Sequence, residues 1–95
     1  MKLVKDDHFT HRLMQVVTYI AKDSKSRARQ FSRDLQRGLD GLKTFPYKCR
    51  RSFYYENEQI RDYIFKGYTI PYYIDEENEK IVILDIFKWT EEERK

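Results

Sequence analysis

Residues 59–89 read QIRDYIFKGYTIPYYIDEENEKIVILDIFKW and carry most of the chain's β-forming side chains. Ile60, Tyr63, Ile64, Phe65, Tyr68, Ile70, Tyr72, Tyr73 and Ile74 are the β-branched and aromatic types that suit a pleated, half-buried surface. Gly67 interrupts the first half, where a tight turn requires backbone freedom. Asp75-Glu76-Glu77-Asn78-Glu79 is too charged to pack and marks a second turn. Residues 81–87, IVILDIF, are apolar except for Asp85, the composition of a central strand covered on both faces. This punctuation predicts three consecutive antiparallel strands at about 59–66, 68–75 and 80–87. Pro71 lies inside the second and has no N–H for the ladder, so a local bulge is expected there, near the concave face.

Upstream of this meander the period changes. Phe9, Leu13, Val16, Val17 and Ile20 fall on one face of a helix, with Asp6 or Asp7 placed to cap its start. That helix ends near Lys22, and Asp23-Ser24 offers the cap of another. Ala28, Phe31, Leu35, Leu39 and Leu42 mark the second helix, with Arg27, Arg29, Arg33 and Arg37 largely off its apolar face. Gly38 and Gly41 weaken its last turns, and Pro46 stops it. So short a link makes the two helices an antiparallel hairpin, able to cover one face of the sheet. Lys2-Leu3-Val4-Lys5 is a candidate short first strand, and residues 47–58 have no clear period. The reading is an α+β fold over a single domain, residues 1–95: a short N-terminal strand, then an N-terminal helical hairpin packed on an antiparallel β-meander.

Composition narrows the function classes. The 95 residues are 40% hydrophobic and 37% charged, which describes a globular chain rather than a disordered one. No apolar run reaches a membrane-spanning length, and MKLVKDDHFTHR lacks the apolar segment of a signal peptide, so a cytoplasmic protein with no membrane partner is expected. Cys49 is the only cysteine, which excludes an internal disulfide. A catalytic thiol would need a base, and His8 and His11 lie far from Cys49 in sequence. There is no glycine-rich phosphate loop, and His8 with His11 is an isolated pair, so neither cofactor nor metal is expected. The net charge is +3, with cations gathered in the middle of the chain and carboxylates in residues 75–79 and 91–93. That polarity suits one face to a nucleic acid or an acidic protein.

The order of elements, together with three local patterns, resembles the RelE/ParE superfamily of bacterial toxin–antitoxin toxins. The first pattern is Tyr19-Ile20-Ala21-Lys22-Asp23-Ser24 followed by Ala28, Phe31, Leu42 and Phe45-Pro46. The second is Ile60-Arg61 leading through Gly67-Tyr68 into Ile70-Pro71-Tyr72-Tyr73, and the third is the run from Ile81 to Phe87. The resemblance implies a growth-inhibiting protein, of the kind associated with plasmid stabilisation, held inactive by a cognate antitoxin. It also implies one of two targets. RelE-like toxins cut mRNA on the ribosome, whereas ParE-like toxins poison DNA gyrase.

Site residues must separate these targets. Attack by an RNA 2′-OH needs an activating base, cations at phosphorus and an acid for the leaving oxygen. The resemblance points to Lys48, Arg50, Arg51 and Arg61 as nucleic-acid contacts, with Arg61 at the family's recurrent Ile-Arg position. Arg61 with Lys88 would be the catalytic pair of a nuclease; the plain alternative pairs Arg61 with Asp62, Asp85 or a tail glutamate. The departures are Thr69, where many members carry Arg, and Phe87-Lys88-Trp89-Thr90, where RNA-cutting relatives place His or Arg near Tyr. A lysine amine is ordinarily too basic for acid–base work at neutral pH, and the C-terminal half has no histidine. These departures favour a ParE-like gyrase inhibitor over a RelE-like ribosome-dependent mRNA interferase; a toxin-like fold that only binds its antitoxin is the third reading. Trp89, with Phe87, is the candidate partner anchor.

Overall fold

The structure, a computed structural model, describes residues 1–88. A short strand, β1 (Lys2–Lys5), is followed by helices α1 (Asp7–Asp23) and α2 (Lys25–Gly41). Among the described residues five strands follow: β2 (Arg50–Arg51), β3 (Ile60–Phe65), β4 (Tyr68–Asp75), β5 (Lys80–Ile83) and β6 (Phe87–Lys88). The sheet order is β1-β5-β4-β3-β2, antiparallel except that β1 runs parallel to β5, and β6 pairs with β4. This is the α+β fold read from the sequence, with the N-terminal strand closing one edge.

Local chemistry sets the helix ends. The Asp6 carboxylate accepts from the His8 N–H at 2.9 Å and satisfies one of the donors that the first turn of α1 leaves open. Ser24 serves both helices. Its own N–H closes α1 on the Ile20 carbonyl at 2.9 Å, and its Oγ accepts from the Arg27 N–H at 3.1 Å to start α2. Its extended backbone (φ −157°, ψ 116°) turns the chain within one residue. The hairpin then lays Phe9, Phe31, Leu35, Leu39 and Leu42 on the sheet face formed by Phe65, Ile70, Tyr72, Ile74, Ile81 and Ile83.

Lys66 and Gly67 link β3 to β4 as a two-residue turn, both at positive φ (48° and 84°). That is the hairpin geometry whose twist matches the flanking strands. Lys66 is, with Glu79, a non-glycine in the left-handed region, and its amine reaches the Asp34 carboxylate of α2 at 3.1 Å. This contact holds the Asp34 carboxyl below its usual range.

The apolar run 81–87 is not one continuous strand. Tyr72 pairs with Ile83 and Thr69 with Phe87, so Ile70 and Pro71 of β4 face the three residues 84–86. The extra residue is a bulge, and it lies in the strand facing Pro71 rather than in Pro71's own. The Pro71 carbonyl still accepts from Leu84 N–H at 2.9 Å, so its missing donor is aimed where the ladder is already broken. Nor is β5 closed on both faces: Ile81 and Ile83 are buried, whereas Lys80 and Val82 are only half-buried. The strand enclosed on both sides is β4, with Thr69, Ile70, Pro71, Tyr72 and Ile74 all buried.

Candidate functional site

Register decides which cations meet. Arg61 pairs with Tyr72, which belongs to the helix-covered core, so Arg61 points to the helix side of the sheet. Arg51 stands opposite Arg61 and shares that face. Arg50 stands opposite Asp62 and takes the other one. Of the four cations read as nucleic-acid contacts, Arg51 and Arg61 share one face of the sheet and Arg50 takes the other. Nucleic-acid contact by all four through a single face is not what the register gives.

On the far face, Asp62 is buried with its side chain fully enclosed. Its Oδ2 accepts from the Phe53 N–H at 3.1 Å and lies 3.6 Å from the Arg50 guanidinium, which stacks over the Phe53 ring at 4.0 Å. Tyr54 meets Phe87 edge-on at 4.9 Å, so residues 52–54 lie over this side of β3, β4 and β6. Burial raises the Tyr55 hydroxyl, and the carboxylates of Asp85, Asp62 and Asp6 push it further the same way.

On the helix side, the Arg61 Nη1 donates to the Cys49 carbonyl at 3.1 Å, and the guanidinium lies 5.0 Å from the centre of the Tyr47 ring. Gln59 donates to the Tyr47 hydroxyl at 3.0 Å and steadies that ring. Beneath them the Tyr72 hydroxyl donates to the Pro46 carbonyl at 2.6 Å, which ties residue 46 to the middle of the sheet. Burial pushes the Tyr72 hydroxyl far above the usual phenol range and the adjacent Cys49 sulfur adds to the shift, against a smaller opposing pull from Arg61. The folded state thus favours the neutral phenol. Its contribution is complete below the unfolded tyrosine value, about 10, and is lost as pH rises past it. Tyr72→Phe is expected to cost about 1–2 kcal/mol at neutral pH through the lost bond. It should also flatten the decline of stability above about pH 10. Urea titrations at pH 7 and pH 11 read both effects; an unchanged alkaline slope would refute the assignment.

The plain ion pairs of Arg61 with Asp62 or Asp85 do not form, and the tail glutamates lie outside the described residues. Asp62 is used by Arg50, and Asp85 is held by Arg12 at 3.2 Å and by His8 at 3.3 Å. The bulge aims Asp85 at α1, bringing a histidine from the N-terminus to the C-terminal strands, a proximity invisible in the sequence. Lys88 pairs with Tyr68 and lies 5.8 Å over its ring. Since Arg61 pairs with Tyr72, four residues along β4, the two members of the expected catalytic pair are about 13 Å apart along the strand. Phe87 is half-buried against Tyr54, and Trp89 lies outside the described residues.

Sequence reasoning did not find Tyr47, Gln59, the Cys49 carbonyl or Tyr72 as the surroundings of Arg61. Three of them lie in or beside the stretch without a period, so no pattern marked them. Among the described residues no group of three or more potential metal ligands comes together, and no helix is long and apolar enough to cross a membrane.

A second surface lies on the helices. Val16, Tyr19, Tyr68, Ile86 and Phe87 line a groove between α1 and the end of the sheet, with Arg12 and Lys88 at its margin. A second hollow, sharing Tyr68 with it, is lined by Ile20, Phe31, Arg27 and Lys66. Met14 and Tyr19 stand 65% and 73% exposed on α1.

No curated protein matches the chain closely enough to count as a relative. The family model described as the ParE toxin of the type II toxin-antitoxin system parDE matches residues 7–92, from the start of α1 past the last described strand. The chain belongs to the ParE toxin family of type II toxin–antitoxin systems.

Proposed function

We propose that this toxin arrests growth by binding DNA gyrase in the cytoplasm, without cutting RNA. The observation that carries this reading is the dispersal of the cations a nuclease would need. Phosphoryl transfer from a 2′-OH requires base, acid and charge stabiliser around one phosphate. Here Arg61 and Lys88 occupy register positions four residues apart on β4, and Arg50 is turned to the opposite face. The segment around them instead offers contact area for a protein. Phe45 and Phe53 are 64% and 51% exposed, Tyr47 and Tyr55 are partly so, and Lys48, Arg50 and Arg51 alternate with them. Aromatics and arginines are the side chains that anchor protein interfaces.

A type II toxin has an antitoxin partner, and the α1 groove with its apolar floor and basic margin supports an amphipathic, acidic antitoxin segment there. Target and antitoxin then engage different surfaces. The test is to run the purified toxin in a gyrase supercoiling assay and, in parallel, on programmed ribosomes with primer extension. Inhibited supercoiling with intact mRNA is expected. Discrete cuts in the A-site codon would replace this reading with the mRNA interferase. Neither effect would leave an antitoxin-binding protein without target activity.

A further inference from the structure

We infer that Arg61 is a receptor for a carboxylate presented by the protein target; the inference rests on the reading that the target is a protein. The fold treats this guanidinium differently from its neighbours. Arg50 has Asp62 at 3.6 Å and Arg51 has Glu58 at 3.6 Å. Arg61 is half-buried, and among the described residues its polar contacts are the Cys49 carbonyl and the Tyr47 ring, neither of which carries charge. Its Nε is enclosed and meets no acceptor. Removing a guanidinium from water without a counter-ion is costly, and Arg51 across the β2–β3 pair adds positive potential on the same face.

The unmet demand has a shape. With Nη1 committed to Cys49 and Nε enclosed, Nη2 is the donor left to meet an incoming carboxylate oxygen in a charge-assisted hydrogen bond. The Tyr47 ring, exposed, borders the site, and Phe45 two residues earlier in the chain is exposed as well. A protein partner covering these rings excludes water from the charge pair, the setting in which such a pair contributes most. An aspartate or glutamate side chain of the target therefore fits better than a phosphate of its DNA.

Two measurements test this. The first is binding of wild-type toxin, Arg61→Gln and Arg61→Lys to immobilised gyrase without DNA, with antitoxin binding as the check on folding. Arg61→Gln should weaken gyrase binding at least about thirtyfold, mainly by faster dissociation, and leave antitoxin affinity unchanged. Arg61→Lys keeps the charge without the planar guanidinium and should fall between. Equal binding by Arg61→Gln, or wild-type binding that requires DNA, would overturn the inference. The second measurement needs no gyrase: the Arg61 Nε–H resonance is followed by NMR during titration with N-acetylglutamate and, separately, inorganic phosphate. A saturable shift with the carboxylate at lower concentration than with phosphate is expected. A resonance that does not move, or that prefers phosphate, overturns the assignment even if gyrase proves not to be the target. A toxin whose Arg61 answers to carboxylate but which ignores gyrase would overturn only the choice of target.

Discussion

Phe31→Ala is expected to lower the unfolding free energy by about 3–5 kcal/mol, a large share of the stability a domain of this size possesses. Phe31 is 6% exposed and is the point where α2 grips the far end of the sheet. Its ring meets Phe65 at 5.2 Å and Tyr68 at 5.6 Å, both edge-on, at interplanar angles of 69° and 76°. Each such pair adds about 0.5–1.5 kcal/mol beyond the area it buries. Alanine removes both pairs and leaves a cavity between α2 and the Lys66-Gly67 turn that neither rigid element can fill. In urea titrations the midpoint should fall while the slope is retained, and the thermal midpoint should drop by about 12–40 °C. A loss below about 1 kcal/mol would mean that the turn collapses onto α2 far more readily than the packing implies. Tyr68 also lines the α1 groove, so the antitoxin should bind the variant less tightly even where it stays folded.

The second expectation concerns two glycines that look alike in sequence. Both Gly38 and Gly41 lie in α2, where alanine is the better helix former by up to about 1 kcal/mol. A Cβ at Gly38 would stand 2.1 Å from the Tyr63 hydroxyl and 2.9 Å from the ring carbon that bears it. At Gly41 the nearest atom would be the flexible Lys48 amine at 3.7 Å. Tyr63 cannot yield freely, because its ring is stacked beside Phe65 at 6.1 Å. Gly38→Ala should therefore destabilise by about 1–2 kcal/mol, overpacking outweighing the propensity gain. Gly41→Ala should be neutral or stabilise by up to about 1 kcal/mol. Tyr63→Phe removes the nearest atom and should recover part of the Gly38→Ala loss; additive effects in that cycle would disprove the contact. The same experiment tests how α2 is seated, since Gly38 allows the helix to approach β3 at the strand that carries Arg61.

Much of this protein was determined by the sequence alone, because the signals involved are local. A capping carboxylate at Asp6, a hydroxyl at Ser24, a glycine at 67 and periods of 3.6 or 2 act on their own few residues, so two helices and three main strands follow without knowledge of what they touch. Even the bulge was implied by Pro71, although its position on the facing strand was not. The candidate site was legible as a set of residue types and not as an arrangement. Whether Arg50 or Arg51 shares a face with Arg61 depends on strand register, and a shift of one residue exchanges them. Only the tertiary structure decided that Asp62 belongs to Arg50, that Asp85 is held by α1, and that Arg61 lacks a carboxylate among the described residues. The physical reason is that charge pairing acts through space: it is set by which side chains the packed sheet brings within about 4 Å, and sequence spacing carries no record of that distance.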